Sequence, residues 1–263
     1  MRACRLFFIV LLLSPLLSLP KVAAADVITC LGRIEPADGV LLLAGPSGVT
    51  GGSTVIAELK VEEGDWVEPG QIVAVLDDYQ LRSAEVNRQK ELVADASVRL
   101  KRLKSLSSTQ STSKAKLDEV NYEVRALKAD QRVYEARLEM SLIRAPTRGQ
   151  ILEIYTRPGE KVGASGVMEL GETDNMTVVA EVYETDVKRV QLGQVATISS
   201  PAFLQPISGK VSRIGLKVGK MDVLNVDPIA RTDARVVETI IEIEDSDQLQ
   251  QLTNLQVNVE ISL

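Results

Sequence analysis

Histidine is absent from all 263 residues, and this narrows the available chemistry more than any residue that is present. Ser-His and Cys-His nucleophile pairs, the commonest general base and most catalytic zinc sites all draw on imidazole. What remains is carboxylate or lysine chemistry, from 36 acidic and 30 basic side chains. None of them stands in a recognisable catalytic spacing, and no Gly-x4-Gly-Lys-Ser/Thr phosphate loop occurs. Cys4 lies in an N-terminal stretch that reads as a leader, which leaves Cys30 without an intramolecular disulfide partner. Cys30 is therefore expected as a buried strand residue. No Cys or Met cluster offers metal ligands. The chain is expected to be a non-enzyme with no cofactor and no metal.

Charge is clustered in one place. Between residues 99 and 116 stand Arg99, Lys101, Arg102, Lys104, Lys114 and Lys116, with no acidic residue among them. The surroundings are acidic: net charge is −6, and without residues 1–25 it becomes −9, from 27 basic and 36 acidic side chains. That balance, with only 3% aromatic residues, argues against a nucleic-acid partner, whose binding needs phosphate neutralisation and base stacking.

The elements that would carry this cluster can be read in order. Residues 1–25 form a targeting segment: Arg2 and Arg5, an apolar run Leu6–Leu19, and Ala23-Ala24-Ala25 before Asp26. The run is short for a bilayer span, so a cleaved signal is expected, with a retained anchor as the alternative. Either places the body of the protein outside the cytoplasm. Residues 56–67 and 151–162 are two copies of one motif, matching Ile56 with Ile151, Glu58 with Glu153, Gly64 with Gly159, Asp65 with Glu160 and Val67 with Val162. Between the copies lies a segment dominated by helix formers, broken once at Ser107–Ser113. Its second half has an unbroken three–four seam: Leu117, Val120, Val124, Leu127, Gln131, Tyr134, Leu138 and Ser141. The first half offers a less regular stripe, Leu92, Ala96, Leu100, Leu103 and Leu106. A seven-residue connection requires antiparallel neighbours, which predicts a two-helix coiled-coil hairpin.

The fold class expected is therefore mainly β, with a split β domain, the hairpin and a small β-barrel. The units are residues 1–25 (leader), 26–43 (N-terminal strands joining the barrel or a membrane-proximal region), 44–77 with 143–174 (the split domain), 78–142 (hairpin) and 175–263 (barrel). In the last unit, strands are predicted at 177–183, 195–199, 209–214, 235–243 and 256–261, with one short helix at Thr185–Val190.

The paired half-motifs resemble the halves of a biotinyl/lipoyl-type domain, although no Met-Lys-Met or Asp-Lys-Ala sequence exists to carry biotin or lipoate. A lipoyl fold split by a helical hairpin and followed by a β-barrel resembles the periplasmic adaptor, or membrane fusion, proteins of the HlyD-like superfamily. Three stretches are similar to the DevB-type adaptors of ABC exporters: Leu31-Gly32-Arg33-Ile34-Glu35-Pro36, Glu181-Val182-Tyr183-Glu184-Thr185-Asp186, and Asp222-Val223-Leu224-Asn225 before Asp227-Pro228. The ending Leu252-Thr253-Asn254-Leu255-Gln256-Val257 fits the same branch. Adaptors that dock onto TolC-like outer-membrane ducts resemble Arg-x3-Leu-x6-Ser-x4-Asp across the hairpin turn, and Arg102, Leu106, Ser113 and Asp118 have that spacing.

The resemblance implies a periplasmic adaptor associated with the inner-membrane surface. It would self-associate as a hexameric ring and link an ABC permease and ATPase to a TolC-like duct for a lipid-like or amphipathic cargo. Other readings are an adaptor for a proton-driven (RND-type) pump, a carrier subunit of a biotin or lipoate enzyme, and a surface binding module using the hairpin as a stalk. The hairpin is shorter than the resemblance would lead one to expect, and a separate membrane-proximal domain is missing or reduced.

Overall fold

The computed structural model describes residues 26–45, 54–107, 114–221, 235–244 and 247–263. The leader, Ser113 and the Asp222–Pro228 stretch lie outside the described residues. The fold is mostly β, with two long helices. Among the described residues, no helix is long and apolar enough to cross a membrane.

Among the described residues, thirteen strands are labelled in chain order. A closed six-stranded barrel is built from β1 (Val27–Pro36), β9 (Met176–Tyr183), β10 (Val195–Ser199), β11 (Ile207–Lys220), β12 (Arg235–Ile243) and β13 (Gln256–Ser262). Its order is β1-β13-β10-β11-β12-β9. Every neighbouring pair is antiparallel, and closure removes the exposed edges that an open sheet would present. The alternation legible in β13 is realised: Val257, Val259 and Ile261 point into the core, while Gln256, Asn258, Glu260 and Ser262 are exposed. Ile34, Met176, Ile198, Ile241 and Leu249 fill the same interior. Cys30 sits among them, buried.

The split domain holds two small sheets. One has the order β2-β8-β7-β4, from Leu41–Leu43, Met168–Gly171, Gly149–Ile154 and Trp66–Val67. The other is β3-β5-β6, from Ile56–Leu59, Ile72–Leu76 and Leu142–Arg144. Both close on one core that includes Ile56, Val67, Leu76, Ile151, Met168 and Leu170. The two motif copies cross-bond reciprocally. Ile56 N donates to Glu160 O at 3.0 Å and Ile56 O accepts from Gly159 N at 2.7 Å, while Ile151 N donates to Asp65 O at 2.9 Å and Ile151 O accepts from Gly64 N at 2.8 Å.

Several sequence expectations are corrected. The N-terminal unit 26–43 divides: β1 belongs to the barrel, but Leu41–Leu43 pairs with β8 in the split domain. β11 extends to Lys220, past the expected Ile214, through two register shifts. The short helix at Thr185–Val190 is a single 3-10 turn, Val187–Arg189.

Candidate functional site at the hairpin tip

Helix α1 (Tyr79–Ser107) leaves the split domain after β5, and α2 (Lys114–Glu139) returns to β6. In the resembled carrier domains this junction bears the modified lysine. Here it is a strand-to-helix exit, closed by Leu76 N donating to Ser141 O at 2.9 Å. Arg82 pins the base: its Nε donates to Asp78 at 2.6 Å and its Nη1 to the Arg137 carbonyl at 3.1 Å. Arg144 continues the clamp, pairing with Glu139 and donating to Gly70 O at 2.7 Å.

The helices run antiparallel, because Arg82 reaches Arg137, Gln89 reaches Leu127 and Arg99 reaches Glu123. The seam of α2 is as expected, with Val120 and Val124 buried and Leu117 and Leu127 packed beside them. The α1 stripe is met at Ala96, Leu100 and Leu103 but not at Leu92 and Leu106. Leu92 is 42% and Leu106 49% exposed, whereas Val86 and Gln89 are buried at 3% and 7%. The true seam is Val86, Gln89, Val93, Ala96, Leu100 and Leu103, which also alternates three and four. Gln89 is polar and adds no hydrophobic signal to the sequence; inside the seam its Nε2 donates to Leu127 O at 3.0 Å.

Of the expected site residues, Arg102 and Asp118 are exposed. The antiparallel register sets them at a similar level on the two helices. Leu106 lies one residue from the end of α1, half-exposed outside the seam, and makes contacts of its own. Ser105 Oγ donates back to the Arg102 carbonyl at 2.8 Å, closing the last turn of α1. Asp118 lies just past the first turn of α2, which holds no acidic residue. The helix dipole, strongest within that turn, therefore does little to hold it.

The basic run is partly neutralised by residues just outside its own window. Arg99 pairs with Asp95 at 3.3 Å and Glu123 at 2.8 Å, and Lys116 pairs with Glu119 at 2.8 Å. These exposed pairs are screened and weak. The tip can present a small apolar side chain flanked by cations, which suits contact with another protein surface. No group of three or more potential metal ligands occurs among the described residues.

On the outer barrel wall, Arg33 bridges three strands. It pairs with Glu35 on its own strand, with Glu181 of β9 at 3.1 Å and with Glu238 of β12 at 2.9 Å. Burial opposes the charge on Arg33; its hydrogen bonds to Glu35 and Glu238 outweigh that and hold the guanidinium well above its ordinary range. Arg33 and Glu181 come from two of the three singled-out stretches, and the fold joins them.

Comparison with known proteins follows the same lines. No protein-family model matches the chain. The pyoverdine export membrane fusion protein PvdR of Pseudomonas aeruginosa is 25% identical over 217 residues, covering 71% of this chain and 52% of PvdR. The macrolide export protein MacA of Yersinia pestis is 26% identical over 176 residues, covering 55% of this chain and 47% of MacA. The chain thus spans about half the length of these curated relatives. Among solved structures, a MacA–MexA chimera containing the Pseudomonas aeruginosa MexA α-hairpin domain superposes with a TM-score of 0.72 at 17% identity. That match covers 91% of this chain and 81% of the chimera, and it establishes the shared fold.

Proposed function

Because the relatives of this chain are membrane fusion proteins, the periplasmic adaptors of export and efflux systems, and it shares their fold, we propose that it is itself a non-enzymatic periplasmic adaptor. It associates with the inner membrane, binds an ABC permease and ATPase there, and meets a TolC-like outer-membrane duct with its hairpin tip. Its cargo is lipid-like or amphipathic, and it works as a ring, six copies in the form the resemblance implies.

The observation that carries this reading is the hairpin, which leaves the split domain after β5, returns to β6 and carries Arg102, Leu106 and Asp118 near its turn, while the barrel joins the same domain through the β1–β2 and β8–β9 connections. PvdR and MacA, named for pyoverdine and macrolide export, support export as the task. The similarity of the Arg33 and Glu181 stretches to DevB-type adaptors supports an ABC exporter.

The test is crosslinking of the tagged protein in native membranes, followed by identification of its partners. The expected recovery is an ABC permease and ATPase together with an outer-membrane duct. Leu106→Asp with Ser113→Asp should lose the duct and keep the permease. Recovery of a proton-driven pump would replace the ABC assignment. Recovery of no transporter would leave the hairpin as the stalk of a binding module.

A further inference from the structure

The barrel has two unlike ends. At one, β1 runs into β2 and β8 runs into β9, so this end is joined to the split domain. The other end gathers the start of β1, the end of β9, the start of β10, the hydrogen-bonded continuation of β11 and β12, and the end of β13. Here Leu263 N donates to Asp26 O at 3.0 Å and Arg189 pairs with Asp26 at 2.5 Å. Residues 1–25, with their apolar run Leu6–Leu19, join the chain at this point.

Exposed apolar side chains are distributed very unevenly between the ends. Leu216 is 105% exposed, Leu192 67%, Val195 and Val218 49%, Leu263 42%, and Val27 and Tyr183 40%. All seven lie at the end where the leader joins. At the opposite end of the barrel the corresponding exposed residue is Leu204, in the β10–β11 connection. Single exposed leucines are ordinary on a protein surface, but a concentration of them on one face calls for a partner.

Position says what that partner is. Six residues separate Leu19 from Asp26, and an extended chain covers at most about 3.6 Å per residue. An apolar run held in a bilayer would therefore keep this end within about 25 Å of the hydrocarbon edge. Charged residues of both signs, Lys188, Arg189, Lys217 and Lys220 with Asp26, Glu184 and Asp186, stand in the same segments as the apolar ones. Tyr183 adds an amphipathic ring of the kind favoured at membrane interfaces.

We propose that this end of the barrel is a lipid-contacting face, on which Leu192, Leu216 and their neighbours enter the interfacial layer of a phospholipid membrane. Because the charges are mixed, attraction comes from apolar burial rather than from anionic headgroups, and binding is insensitive to salt. The inference rests on residues 1–25 being the retained anchor rather than a cleaved signal, since only a retained apolar run holds this end at the bilayer. It does not depend on any duct or transporter, so its failure would leave the adaptor reading standing.

The test uses the full chain with Cys4→Ser, carrying an environment-sensitive fluorophore at Leu192→Cys, Leu216→Cys or Leu204→Cys. Cys30 is buried and does not compete for label. Vesicles of phosphatidylethanolamine and phosphatidylglycerol are then added. The expected result is a blue shift and protection from iodide at positions 192 and 216, unchanged by added salt, with position 204 still in water. Leu192→Asp should abolish the shift of a label at position 216, and Leu216→Asp that of a label at position 192, each leaving the unfolding midpoint unchanged. Vesicles held with all three labels in water, a result that a leader acting alone would give, would overturn the proposal. So would the absence of vesicle binding, or a shift that salt removes.

Discussion

Gly64 and Gly159 occupy the same turn in the two motif copies, with φ of 92° and 88°. Each turn is closed by the acidic side chain that follows its glycine. Asp65 Oδ2 accepts from Glu62 N at 2.8 Å, and Glu160 Oε2 accepts from Arg157 N at 2.9 Å. A Cβ added at either glycine would meet no atom within 4 Å. Any cost of substitution is therefore backbone strain, roughly 1–2 kcal/mol for a left-handed L-residue and partly offset by a less flexible unfolded chain. Gly64→Ala and Gly159→Ala should each lower the urea unfolding free energy by about 1 kcal/mol. Gly163, also in open space but without positive φ, is the control: Gly163→Ala should be neutral or slightly stabilising. Equal losses at all three would mean that the two turns are not special.

That repeat was legible because a positive-φ turn demands glycine wherever it recurs. So was α2, whose seam residues are mostly large and apolar. The α1 seam was not. Its polar Gln89 and small Ala96 give little hydrophobic signal, while exposed Leu92 sits one position out of register. The strand expected at 209–214 stops short of Gly215, and β11 runs on through Gly215 and Gly219 to Lys220. In the barrel Gly215 is required for close approach, since a Cβ there would stand 2.6 Å from Glu238 O. The basic run of the tip could be read, but not its neutralisation across the hairpin, which depends on the helix pairing. The Arg33–Glu181 contact spans 148 positions, and no local pattern announces it.

Glu181 is 1% exposed with the guanidinium of Arg33 at 3.1 Å. Taking away the charge partner of a buried carboxylate is costly, whereas replacing both partners by apolar side chains is often neutral. Arg33→Met should therefore destabilise by about 3 kcal/mol, and Arg33→Met with Glu181→Leu should recover most of that loss. Denaturant unfolding of the two single variants and the double variant completes the cycle. Losses that simply add would show that the two side chains are not energetically coupled.

Gln89 donates to Leu127 O inside the hairpin seam. A polar residue in a coiled-coil core fixes register at a cost in stability. Gln89→Leu should leave thermal stability unchanged or raise it by up to about 1 kcal/mol, because apolar burial replaces one neutral hydrogen bond. Gln89→Ala, which removes the bond and leaves a gap, should cost about 1–2 kcal/mol. Far-UV circular dichroism during melting reads both. A larger loss for leucine than for alanine would exclude the seam placement.

Cys30 offers a test of the barrel interior through pH. Burial first, and the nearby Glu181 charge second, push its thiol from an ordinary 9.0 up to about 12. In the unfolded chain the thiol loses its proton near 9, while the folded barrel keeps it. The unfolded state therefore binds fewer protons across this interval, and stability must fall as pH rises. The Cys30 contribution is fully present below 9.0 and is lost between 9.0 and about 12, at up to about 1.4 kcal/mol per pH unit. Lysines and tyrosines also titrate in this range, so the informative quantity is the difference between the parent chain and Cys30→Ala. That difference should be constant below pH 9 and should then shift steadily against the parent chain as pH rises above it. A difference that stays flat through the alkaline range would mean that the thiol ionises as readily in the folded barrel as in the unfolded chain, and that Cys30 is not enclosed by the six strands.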